Sequence, residues 1–125
     1  MRYSSQVERY FDDPPNAGVL TGPAERLAAG RAGDVRHGAQ VEFHILVDEG
    51  LIREARFRAY GCPCTIAAAA RTAELLEGLT VEAAEEFDPH ELAAELELPA
   101  DKLTRVLVVE DAIRAALADW RSRGS

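Results

Sequence analysis

Alternation along one stretch restricts this chain's fold more than any other feature. Val41, Phe43, Ile45 and Val47 alternate with Glu42, His44 and Leu46. After Asp48-Glu49-Gly50 the pattern resumes, with Ala55, Phe57 and Ala59 set against Glu54, Arg56, Arg58 and Tyr60. A period of two puts each set on one face of a strand, so an antiparallel hairpin with one wet face is expected.

Everything after Pro63 reads as helix. Residues 65–77 are alanine-rich, with Ile66, Ala69, Ala70, Ala73 and Leu76 on one side and Gly78 as the stop. Thr80 caps a short helix carrying Val81, Ala84 and Phe87. Asp88-Pro89-His90-Glu91 is a helix start: Asp as N-cap, Pro in the first position and Glu in the third. That helix buries Leu92 and Leu96 and ends before Pro99. The last, over about residues 101–121, carries Leu103, Val106, Leu107, Ile113, Leu117 and Trp120 as its apolar stripe. Upstream, residues 4–12 form a helix with Val7, Tyr10 and Phe11 on one stripe, Ser4 or Ser5 as cap and Pro14-Pro15 as terminator. Residues 16–38 hold five glycines and read as loop, with one short edge strand near residues 26–29. Strands followed by helices give an α+β class, a small antiparallel sheet of about three strands with helices on one face. At 125 residues the expectation is one domain spanning 1–125.

The formal net charge of −8 opposes phosphate backbones and anionic lipid, so nucleic-acid and membrane partners are not expected. No apolar run approaches the ~20 residues of a bilayer span. The N-terminal residues carry no signal core, so the expected location is the cytoplasm. The two cysteines, Cys62 and Cys64, flank one proline. That spacing suits a structural disulfide poorly, which leaves packing or thiol chemistry to explain them.

Cys62 ends the second strand and Cys64 begins the following helix. Unpaired N–H groups and partial positive charge at a helix N-terminus favour a thiolate, which is both a soft metal ligand and a nucleophile toward sulfur. Gly61 lets the chain turn and Pro63 fixes its direction. Two small apolar residues filling a strand–helix junction would give the same sequence. Of the three histidines, His44 and His90 are expected at the surface. His37 precedes the first clear strand, at the end of the sheet where Cys62 emerges.

These residues stand in a longer pattern. Tyr3-Ser4, Val7, Tyr10-Phe11, Pro14 and Asn16-Ala17-Gly18 lead into Asp48-Glu49-Gly50-Leu51-Ile52, Ala55-Arg56-Phe57 and Tyr60-Gly61-Cys62. Ile66-Ala67, Glu95-Leu96-Glu97-Leu98-Pro99, Lys102, Glu110-Asp111-Ala112-Ile113 and Ala115-Ala116 follow. In order and spacing the chain resembles the iron–sulfur cluster assembly scaffolds of the IscU/NifU N-terminal type, over nearly its whole length. The resemblance implies the same α+β fold with metal ligands gathered at one end of the sheet. It also implies a role in assembly without substrate turnover, and a cysteine desulfurase or other assembly proteins as partners.

The ligand positions depart from that family. Its first cysteine stands in an Ala-Cys-Gly-Asp stretch, its second in Tyr-Gly-Cys-Gly-Ser, its third in a His-Cys pair on the last helix. Counted without gaps, the first falls on His37 in Arg36-His37-Gly38-Ala39, and a second alignment matches Ala32-Gly33-Asp34 instead. The second is retained as Cys62, with Cys64 in the serine place. The His-Cys pair falls on Thr104-Arg105. The resemblance thus implies His37, Cys62 and Cys64 as ligands for an iron–sulfur cluster, iron or zinc, one ligand short of four. Arg105 puts a donor-only cation where the family has a soft ligand; it repels a metal but can pair with a thiolate or anion. Two roles follow: a scaffold variant taking sulfur or metal on Cys62, or a paralogue that keeps only partner binding. The family's Leu-Pro-Pro-Val-Lys segment, read by an Hsp70-type chaperone, is Leu98-Pro99-Ala100-Asp101-Lys102 here. A charge in an apolar peptide groove is costly, which argues against tight chaperone binding.

Overall fold

A computed structural model describes residues 3–123. It contains β1 (Leu27–Asp34), β2 (Ala39–Asp48) and β3 (Leu51–Tyr60), joined as an antiparallel meander in that order. The helices are α1 (Ser5–Asp12), α2 (Pro63–Leu76), α3 (Val81–Ala84), α4 (Pro89–Glu95) and α5 (Leu103–Arg121). This is the α+β layer expected from the alternation and the helical tail. Glu49 and Gly50, both at positive φ, make the two-residue turn between β2 and β3.

The core lies between the sheet and its helices. Val41, Phe43, Ile45 and Val47 of β2 are buried together with Ile52, Ala55 and Phe57 of β3. Helix α2 is buried nearly all round: Cys64, Thr65, Ala67, Ala68, Ala69, Ala70, Thr72, Ala73 and Leu76 are all inside. Small side chains let it run through the middle of the helical layer. Ser4 caps α1 through its hydroxyl, which accepts from the Val7 N–H, and Thr80 and Asp88 cap α3 and α4 in the same way.

The largest correction concerns β1. Residues 26–29 were expected as a short edge strand in a glycine-rich loop; the strand runs eight residues and pairs with β2 from Leu27↔Leu46 to Asp34↔Ala39. Its core-facing positions are small because α5 lies on top of them: a Cβ at Gly30 would overlap the backbone of Ala115 and Ala116. Two stripe assignments also change. Phe11 and Leu107 are about two-fifths exposed, and Val109, Ala112 and Ala116 take the core face of α5. Residues 98–102 end one helix and begin the next, Pro99 leading a single turn over Ala100–Lys102 directly into α5.

The Cys62 end of the sheet as a candidate functional site

Where β3 stops at Tyr60, Gly61 turns the chain at φ +153° and Cys62 becomes the N-cap of α2. The turn needs glycine for two reasons. The φ is one that side chains rarely adopt, and a Cβ there would lie 2.9 Å from Thr65 Cβ and Oγ1. The Cys62 carbonyl accepts from the N–H groups of Thr65 at 2.9 Å and Ile66 at 3.2 Å, which starts the helix. Pro63 occupies the first helical position, where its missing N–H costs nothing.

The two thiols have opposite environments. Cys62 is half-buried, with its Sγ 3.6 Å from the Oγ1 of Thr65. Burial alone would raise its pKa. The Thr65 backbone N–H and hydroxyl, the Arg105 guanidinium and the Cys64 N–H outweigh burial and bring the thiol down to about 7. Cys64 is fully buried in the core, and burial together with the charge on Cys62 pushes its thiol up to about 11. At neutral pH Cys62 is substantially thiolate and Cys64 stays a thiol.

Arg105, in the first turn of α5, is among the groups that hold the Cys62 thiol down. Its Nε is buried and has no hydrogen-bond partner. The cation that stands in place of a soft ligand thus favours the Cys62 thiolate. Thr65 and Arg105 both act on Cys62. Arg105 is marked by the count from Leu98-Pro99 to the family's His-Cys pair, whereas no signal separates Thr65 from any other residue of the helix's first turn.

The remaining candidates sit around this end without joining the sulfur. His37 is exposed, closing a single helical turn over Val35–His37 between β1 and β2. Its neighbour Gly38 puts a carbonyl oxygen 3.1 Å from where a Gly61 Cβ would lie, so His37 and Cys62 do share one end of the sheet. Asp34, the alternative ligand position, caps that turn and is held by Arg36, whose side-chain and backbone N–H groups lower its pKa. Among the described residues, no group of three His, Cys, Asp or Glu side chains comes together to hold a metal ion. His44 is half-buried and bonded to Glu42, while His90 is exposed as expected. No helix among the described residues is long and apolar enough to cross a membrane.

Comparison with known proteins agrees with the fold. Residues 2–125 match the NifU-like N terminal domain family. The chain is 36% identical over 124 residues to the iron–sulfur cluster assembly scaffold protein IscU of Escherichia coli K12, covering 98% of this chain and 97% of that one. It is 34% identical over 124 residues to IscU of Azotobacter vinelandii, covering 98% and 97%. Among solved structures, the N-terminal NifU-like protein of Brucella abortus superposes with a TM-score of 0.71 at 13% identity, covering 95% and 94% of the two chains. A SUF-system scaffold candidate of Fervidobacterium islandicum AW-1 gives 0.70 at 18% identity, covering 92% and 96%.

Proposed function

This chain belongs to the NifU-like N-terminal domain family, and we propose that it serves iron–sulfur cluster assembly as a scaffold-type protein that receives sulfur on Cys62. The observation that carries this reading is the placement of Cys62 at the N-cap of α2, with Thr65 and Arg105 holding its thiol near pKa 7. A thiolate attacks the sulfane sulfur of a persulfide most effectively when its pKa lies near ambient pH, because thiolate fraction and nucleophilicity are then both high. In that step the Cys62 Sγ bonds to the terminal sulfur and the donor's S–S bond breaks. The electron pair leaves with the donor thiolate, which takes a proton, and nothing is oxidised overall. Each copy carries one sulfur, so the role is that of a carrier and not an enzyme.

Iron and iron–sulfur clusters are the cargo of this assembly process, and the residues here fit an intact cluster poorly. A cluster asks for about four ligands, preferably thiolates. Cys64 faces the core, His37 faces solvent, and Arg105 offers donors only. Completing a metal site with Cys62 would need ligands from a partner chain or a small thiol. A free, activated thiol suits a reducing compartment, which favours the cytoplasm.

Exposed Val35 and Tyr60, on the elements bordering Cys62, favour a second component of the role: docking of a sulfur-donating partner such as a cysteine desulfurase on this end. The test is anaerobic incubation with a low-molecular-weight persulfide, followed by intact-mass measurement. The wild-type chain gains one sulfur atom and Cys62→Ala gains none. A Cys62→Ala variant that gains sulfur equally removes this reading and leaves partner docking alone.

A further inference from the structure

Arg105 carries the next step, which rests on sulfur receipt at Cys62 and asks what the site discriminates against. The chain bears a net charge of −8, yet no ion pair among the described residues includes Arg105. Its Nε is buried with its hydrogen-bonding capacity unused, and a buried unpartnered donor is costly to keep. Lys102, one turn earlier on the same approach to α5, adds positive charge in the vicinity of the paired cysteines, and Asp101 partly offsets it. The exposed edge is completed by the head of α2, the positive end of that helix's dipole, with Cys62 as its N-cap. Asp101 apart, the charges named here favour a negative charge one bond beyond the Cys62 sulfur.

We propose that Arg105 is the specificity-determining residue of this site, pairing with the anionic terminal sulfur of a persulfide and excluding ferrous iron. A persulfide places its charge on the outer sulfur, and a guanidinium presents several N–H donors to meet it. The same fixed cation raises the energy of any metal ion brought to Cys62, because an arginine cannot shed its proton to make room. Sulfur therefore enters alone. Iron must meet it after transfer, or in a complex where another chain displaces Arg105.

The experiment compares wild type, Arg105→Gln, Arg105→Lys, Arg105→Cys and Cys62→Ala as full chains under anaerobic conditions, with circular dichroism to verify folding. One arm supplies glutathione persulfide and measures the rate of sulfur gain on Cys62. Wild type takes up sulfur, Arg105→Gln is slower by about tenfold, the loss of one charge-assisted hydrogen bond, and Arg105→Lys recovers most of the rate. The other arm supplies ferrous iron and sulfide, then measures iron retained after desalting. Wild type retains none, whereas Arg105→Cys retains it and develops a charge-transfer band. Stoichiometric iron on wild type, or sulfur uptake by Arg105→Gln at the wild-type rate, overturns the assignment to Arg105 and leaves sulfur receipt standing. Wild type that refuses sulfur altogether overturns both.

Discussion

The sulfur of Cys62 rests 3.6 Å from the hydroxyl of Thr65, one helical turn ahead of it, while Cys64 between them is turned wholly into the core. One proline thus separates a half-buried thiol from a packing thiol. The division comes from helix geometry. The N-cap residue stands outside the helix with extended φ and ψ, and its sulfur stays half-buried beside the Thr65 hydroxyl. Two residues on, the side chain already faces the sheet.

The thiols should therefore alkylate very differently. Iodoacetamide labels Cys62 with a rate that rises through a midpoint at about pH 7, while Cys64 in the folded chain is untouched at that pH. Peptide mapping after timed labelling from pH 5.5 to 9 is the check. Equal labelling of both residues would contradict the structure.

Thr65→Val keeps the shape of a fully buried side chain and removes its hydroxyl. The backbone N–H of Thr65 remains and the hydroxyl's contribution is lost, so the Cys62 midpoint moves up while the fold is retained. The measurement is the same labelling profile beside a thermal melt.

Cys64 gives an alkaline signature. Its folded pKa, about 11, lies above the ordinary thiol value of 9.0. The stability from burying its neutral form is complete below the unfolded value and is lost as pH rises through the folded one. Urea unfolding at pH 8 and pH 10.5 should show a steeper loss for wild type than for Cys64→Ala.

Two glycine substitutions separate site from scaffold. Gly61→Ala forces a side chain into a φ of +153° against Thr65, at a cost of about 1–3 kcal/mol, and it raises the Cys62 midpoint by displacing Thr65. Gly30→Ala pushes α5 off β1 and costs about 1–3 kcal/mol or more. Because α5 also carries Arg105, the labelling midpoint rises there too. Denaturant midpoints and labelling profiles read both.

Much of this was legible in the residues. The caps at Ser4, Thr80 and Asp88 and the β2–β3 alternation are local signals, and they give the observed elements. Strand β1 was hidden by the same fact that makes it important. Ala28, Gly30 and Ala32 are small because a helix touches the strand's backbone, and small residues read as loop. At the site, the strand-end cysteine, the role of Gly61 and the cation at Arg105 followed from sequence. Which of two thiols separated by one residue faces solvent did not, since it depends on where α2 begins to turn. The convergence of His37, Cys62 and Cys64 on one ion likewise required orientations that spacing does not set.

Location of the received sulfur tests the central claim most directly. The wild-type chain, incubated at pH 7 with a persulfide carrying labelled sulfane sulfur, is blocked by alkylation and cleaved after Arg58 and Arg71, and the peptide holding both cysteines is fragmented in the mass spectrometer to place the label. The account predicts one labelled sulfur, on Cys62, with Cys64 unmodified. Label on Cys64, or label absent from a chain whose Cys62 alkylates normally, would contradict it.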